Sequence, residues 1–240
     1  MGETPRVPGS QSPRRSFSWK REVAIGLGFY AVYLLVRDIA LAGDGKQRAA
    51  RNAERVVKLE RRLGLHIEPA LQRSVLRRRP LVEGLNLAYA TLNVGLTVGW
   101  LVHLFRRRHP EYHRFRRAVL LAGLGAQPVF LLFPVAPPRK LDHLVDTIAE
   151  FSGVDLDSGL ISRLYHPLAA LPSIHVTIAV VTAEGISETS ELRAVRVAAP
   201  LYPPLVSAVV LLTANHYVVD AVSGWALGHL ALRGARELER

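Results

Sequence analysis

Charge disappears from this chain in long stretches. Residues 84–105 (GLNLAYATLNVGLTVGWLVHLF), 118–138 (AVLLAGLGAQPVFLLFPVAPP) and 197–219 (VAAPLYPPLVSAVVLLTANHYVV) contain no Asp, Glu, Lys or Arg. About 20 apolar residues in a helix cross a hydrocarbon core, so each run predicts a membrane-spanning helix. A fourth run, Val23–Val36, extends to about Ala42 when Arg37 and Asp38 pair or sit at the interface. Two weaker runs are 172–189, which holds Glu184, and 216–233, which opens on His216 and Asp220. A buried core helix of a soluble protein explains any one of these runs, but not five or six in one short chain. The pattern predicts an all-α, polytopic membrane bundle of about six transmembrane helices.

The polar segments between the runs set an orientation. Residues 106–117 (RRRHPEYHRFRR) form a short basic loop, which the positive-inside rule places in the cytoplasm. Residues 1–20 are polar and rich in Pro, Ser and Arg, without the apolar stretch and cleavage site of a signal peptide. They read as a disordered basic cytoplasmic tail ahead of a retained signal anchor, with residues 21–240 as one integral-membrane domain. Segment 43–80 strains the rule, holding eleven basic and four acidic residues on what the helix count makes the outer side. Within it, Ala49, Ala53, Val56, Leu59 and Leu63 share one helical face, with Arg48, Arg51, Arg55, Lys58 and Arg62 around the rest. This predicts an amphipathic helix at the membrane interface that attracts anionic lipids. A cytoplasmic helix in an inverted or five-span topology is the alternative.

Composition narrows the chemistry. The 240 residues carry a formal net charge of +11, but no aromatic-spaced basic segment or fold motif points to nucleic acid. With no cysteine, disulfides, thiolate metal sites and a cysteine nucleophile are excluded. No cofactor motif is present, and no metal-spaced group of carboxylates and histidines stands out.

Three islands interrupt the apolar pattern. The first is Pro134-Val-Ala-Pro137-Pro138-Arg139, where proline stops the helix and holds Arg139 at the membrane edge. Arg binds phosphate oxygens bidentately, although an ordinary basic helix flank explains this residue as well. The second is Ala170-Leu-Pro172-Ser173-Ile-His175. Pro172 at a first helical position with Ser173 beside it fits a helix N-terminus, whose free amides favour an anion, and puts His175 in the first turn. A membrane histidine that merely bonds a neighbouring helix is the plainer account. The third is Asn215-His216-Tyr217-Val-Val-Asp220. At i and i+4, Asp220 can accept the proton on one imidazole nitrogen of His216, leaving the other free to attack. An interfacial hydrogen bond is the simpler alternative. Alternating helices put Arg139, His175, His216 and Asp220 on one side, opposite loop 106–117, with Ser173 and Asn215 beside them.

At these islands the chain resembles the membrane-bound phosphatidic acid phosphatase type 2 superfamily, and within it the branch containing inositol phosphorylceramide synthases. The resemblance spans roughly 45–233 and rests on PVAPPR at 134–139, Asp146-Thr147, AALPSIH at 169–175 and ANHYVVD at 214–220. It implies a metal-independent lipid phosphatase or inositol-phosphate-type phosphotransferase without a cofactor. His216 would attack phosphorus and form a phosphohistidine, Asp220 would orient it, and His175 would protonate the leaving group. Arg139, Ser173 and Asn215 would hold the phosphate of a lipid phosphate or phosphodiester on the outer face of the cell membrane. The chain departs from the superfamily pattern in lacking the lysine-led first motif. Ile174 stands where the second motif has glycine, and Val209-Val210 where the third has Ser-Arg. A non-catalytic lipid-binding or transport protein on the same scaffold is the competing reading.

Overall fold

The computed structural model describes residues 17–152 and 166–240. Among these described residues nine helices follow in order: α1 (Trp19–Leu41), α2 (Gly45–Leu63), α3 (Glu68–Leu76), α4 (Arg79–Arg106), α5 (Tyr112–Leu132), α6 (Thr147–Ser152), α7 (Ile174–Thr189), α8 (Arg193–Leu212) and α9 (Val218–Glu237). The chain is an all-α bundle, as its hydropathy pattern predicts. Helices α1, α4, α5 and α8 are long and apolar enough to cross a membrane. Their outward faces carry exposed Val23, Leu27, Leu35, Leu92, Leu132 and Leu205, which suits lipid rather than water. Helix α7 has 16 residues, and α9 is interrupted by Arg233 and Arg236. Both lie within the bundle, α7 packed on α4, α5, α8 and α9.

Close approach of α7 and α9 comes from glycine. A Cβ at Gly224 would meet the Ser173 carbonyl oxygen at 2.6 Å, and one at Gly228 would meet Val180 Cβ at 2.7 Å. Small residues four apart let two backbones touch where lipid offers no hydrophobic push. Polar pairs tie both helices to their other neighbours: Thr97 of α4 with Thr182 of α7 at 2.8 Å, and Trp225 Nε1 of α9 donating to Ser207 of α8 at 3.2 Å.

Several boundaries differ from expectation. Helix α1 begins at Trp19, and Phe17 stacks near Phe105 and Tyr112, so residues 17–20 belong to the folded body; residues 1–16 of the expected tail lie outside the described residues. Helix α5 ends at Leu132, before Pro134, as the proline cluster requires. The third uncharged run does not continue to Val219, because α8 stops at Leu212 and a tight turn with Ala214 at φ 52° intervenes. Pro172 precedes the N-cap Ser173 instead of opening the helix.

Helix α2 also corrects the reading. Ala49, Ala53 and Val56 share a face as expected, but that face is buried in the protein and not laid on the membrane interface; Leu59 and Leu63 are exposed, and Asn52, Val57 and Glu60 are buried instead. The apolar face packs on Val135, Ala170 and Tyr217, while Asn52 donates to the Pro134 carbonyl at 2.9 Å. The helix therefore covers one end of the bundle and turns its basic side outward.

Candidate active site

The three islands meet under α2, joined largely by backbone. Val135 donates to the Leu168 carbonyl at 3.0 Å and accepts from Ala170 at 3.3 Å, while Arg139 N–H donates to the Ala214 carbonyl at 2.8 Å. Ser173 N–H donates to the Asp220 carbonyl at 3.0 Å, tying the start of α7 to the start of α9. The Ser173 hydroxyl caps α7 by accepting from Val176 N–H.

His216 sits in the turn between α8 and α9. Its Nδ1 lies 2.8 Å from the Ala170 carbonyl oxygen and 3.3 Å from Asp220 Oδ2. Both neighbours are acceptors, so Nδ1 carries the proton and Nε2 keeps its lone pair. In this turn, outside both helices, burial holds the imidazole down to about 4 against the opposing pull of the Ala170 carbonyl, with Arg139 lowering it further. Asp220 Oδ2 also accepts the Tyr217 amide at 2.9 Å, closing a capping box at the N-terminus of α9. The orienting group expected from sequence is thus shared: a main-chain carbonyl is nearer to His216 than the carboxylate is.

His175 occupies the first turn of α7, its ring 5.8 Å from that of His216 and stacked on Tyr89 at 4.4 Å. Tyr89 belongs to one turn of π-helix, Ala88–Leu92, within α4, and Asn93 just after it donates to the His175 carbonyl at 3.0 Å. Such π turns often re-aim side chains at functional sites. Neither Tyr89 nor Asn93 stood out in the sequence.

Both histidines and Asn215 line an open cavity of about 860 Å³ bordered by α1, α4, α5, α6 and α7. Its other walls are mostly apolar, among them Phe29, Val94, Val98, Phe130 and Ile178. His166 also lines it, a buried histidine that the sequence reading passed over.

Arg139 and Ser173 are buried behind this wall. The Arg139 guanidinium donates to Asn215 Oδ1 at 2.9 Å and to Asp146 Oδ2 at 2.6 Å. Burial pushes the Asp146 carboxyl up, but Arg139, Lys140 and the Ala149 amide outweigh it and hold it below its usual range. So Arg139 fixes Asn215, which faces the cavity. The structure gathers all six residues singled out from sequence, with His175, His216 and Asn215 on the wall and Asp220, Arg139 and Ser173 one layer behind.

One cluster was missed. Glu60, Glu68 and His66 lie together beside the N-terminus of α9, where Glu68 Oε1 accepts Val218 N–H at 2.9 Å and Glu60 Oε1 accepts Val219 N–H at 2.8 Å. Burial raises Glu60 to about 8, the Val219 amide pulling the other way and the charges of Glu68 and Asp220 adding to the rise.

The described residues thus form an all-α bundle with four helices fit to cross a membrane and a cavity that ends on two histidines. The family model of the PAP2 superfamily matches residues 54–233, and the chain belongs to that superfamily. It is therefore an integral membrane protein of lipid phosphatase or phosphotransferase type. Neither the curated proteins nor the solved structures contain a match.

Proposed function

We propose that this protein transfers a phosphoryl or phosphodiester group from a lipid through a phosphohistidine on His216, without metal in the chemical step. The observation that carries the reading is His216 itself, with Nδ1 held by Ala170 and Asp220 and the ring lining an apolar cavity opposite His175. The Nε2 lone pair forms a bond to phosphorus as the bond from phosphorus to the leaving alcohol breaks. That oxygen takes a proton from His175. His175 then removes a proton from the acceptor hydroxyl, whose oxygen bonds to phosphorus while the phosphorus–nitrogen bond breaks, restoring His216.

Asn215 is the phosphate contact on the cavity wall, held by Arg139, whose charge lies directly behind it. Ser173 acts through the α7 cap that aims His175. The apolar walls accept the lipid's hydrocarbon. Water as acceptor makes the enzyme a phosphatase. The resemblance to inositol phosphorylceramide synthases favours an alcohol acceptor and an inositol-phosphate-type transfer. In a six-span topology the site opens on the extracytoplasmic face of the cell membrane, and the basic side of α2 draws in anionic lipids.

Purified protein in detergent, given phosphate-labelled diacylglycerol phosphate and, separately, an inositol-bearing phosphodiester with a hydroxyl acceptor, tests this. Turnover should pass through an acid-labile, alkali-stable labelled protein that His216→Ala does not form. Turnover with no labelled intermediate in either assay, or wild-type turnover by His216→Ala, overturns the mechanism. Stoichiometric lipid binding without turnover would instead make this a carrier.

A further inference from the structure

Three carboxylates converge on the first amides of α9: Asp220 on Tyr217, Glu68 on Val218 and Glu60 on Val219. All three side chains are fully buried. The helix terminus offers only about half a positive charge to balance them. Neither Glu60 nor Glu68 has a Lys or Arg partner among the described residues. Buried carboxylates without a counter-charge cost several kcal/mol each, so something cationic belongs here.

The remaining atoms define where. With each Oε1 committed to an amide, Glu60 Oε2 and Glu68 Oε2 make no hydrogen bond, and neither does His66 Nδ1. Each residue offers a ligand atom within 4.8 Å of the other two, and His66 Nδ1 lies 3.2 Å from Glu68 Oε2 and 4.0 Å from Glu60 Oε2. Ligands bound at about 2.0–2.2 Å around a tetrahedral ion stand roughly 3.3–3.6 Å apart, a spacing bracketed by these two His66 edges, and the fourth position falls to a water.

We infer that Glu60, His66 and Glu68 form a structural site for a divalent cation of the zinc class, pinning the α2–α3 connection onto the N-terminus of α9. One imidazole nitrogen and two carboxylate oxygens in a buried, three-sided arrangement suit zinc. Magnesium, by contrast, keeps its waters and asks for six oxygens. Neither glutamate lines the cavity, so the ion takes no part in the reaction there. It steadies the turn carrying His216 and the first helical turn carrying Asp220. The inference stands independently of the proposed reaction.

The alternative occupant is a proton shared between the carboxylates, and Glu60→Gln separates the two. A glutamine accepts the Val219 amide through its oxygen and donates its NH₂ toward Glu68, which mimics a protonated acid. Tag-free full-length protein in detergent, stripped with chelator and dialysed, is titrated with zinc chloride and followed by calorimetry, elemental analysis and thermal unfolding. One zinc per chain and a melt raised by about 3 °C or more are expected in the wild type and in His216→Ala. Affinity should fall at least about tenfold in Glu60→Gln, Glu68→Gln and the rim variant His66→Ala. No zinc uptake by the wild type, or uptake unchanged in these three variants, overturns the site. A wild-type melt indifferent to zinc, with Glu60→Gln melting at or above it, assigns the cluster to a proton.

Discussion

Replacing Asp220 by Asn removes one charge beside His216 while keeping the side chain's shape. The Asn carbonyl can still accept the Tyr217 amide that Asp220 Oδ2 holds at 2.9 Å, so the α9 cap survives. His216 Nδ1 also keeps its shorter bond, 2.8 Å, to the Ala170 carbonyl, and with it the tautomer that frees Nε2. What is lost is the carboxylate's hold, at 3.3 Å, on an imidazole that in the proposed reaction gains positive character as Nε2 bonds to phosphorus. A hydrogen bond to a charged group contributes about 1.5–3 kcal/mol, which converts to roughly 10- to 150-fold in rate. The 3.3 Å separation argues for the lower end. In the serine-protease triad, loss of the aspartate costs about 10⁴-fold because the histidine then adopts the wrong tautomer. That penalty is absent where a main-chain carbonyl sets the tautomer. Single-turnover measurements of phosphoenzyme formation should therefore show Asp220→Asn slowed by roughly 10- to 100-fold with an unchanged melt, and His216→Ala reduced to background. Two results refute the reasoning: an Asp220→Asn variant as dead as His216→Ala, or one as fast as wild type.

Gly224→Ala places a methyl 2.6 Å from the Ser173 carbonyl, and overpacking of this kind costs about 1–3 kcal/mol. The melt in detergent should fall and kcat with it, because the strain moves the turn bearing His175; an unaltered melt would contradict the close α7–α9 approach. Asp146 has a lowered carboxyl pKa, so its stabilising pairing with Arg139 is complete above its ordinary value of 3.8 and is lost as pH falls through the folded value. The wild-type melt should drop more steeply on acidification below about pH 4 than that of Asp146→Asn, and parallel curves would show that the pair adds no stability. Neutralising Arg48, Arg51 and Arg55 on the outward side of α2 should raise KM for an anionic lipid more than it lowers kcat, with high salt mimicking the variant; an unchanged KM rules out recruitment by this face. Topology is read from a cysteine at exposed Lys46, since a Cβ at neighbouring Gly45 would strike the Ala40 carbonyl at 2.0 Å. It should react with an impermeant thiol reagent in intact cells while one at Arg107 does not, and the opposite pattern would put the chemistry in the cytoplasm.

Much of this fold was legible because lipid imposes a blunt rule: long uncharged runs must be helices, and polar residues at their ends need a reason. The His216–Asp220 spacing and the motif turns carried the site in the same way. Main-chain atoms left no such trace. That Ala170 holds His216 follows from how the segment after Pro134 pairs with 168–170, and no side chain at Ala170 announces it. The π turn that lays Tyr89 on His175 is equally silent, since Ala88–Leu92 reads as ordinary helix. In helix α2 the sequence does carry the signal, one position away from the wholly apolar stripe. Ala49, Ala53, Val56 and Glu60 follow 4-3-4 spacing, the spacing of a buried stripe, and Glu60 stands where a fourth apolar residue belongs. Choosing Leu59 and Leu63 instead kept the stripe wholly apolar and sent it toward lipid. A carboxylate in register with a buried stripe has to meet a donor, and here the donor is the Val219 amide at the head of the helix that carries Asp220. The charge that breaks the hydrophobic pattern is the contact that ties α2 to the head of α9, beside the turn carrying His216.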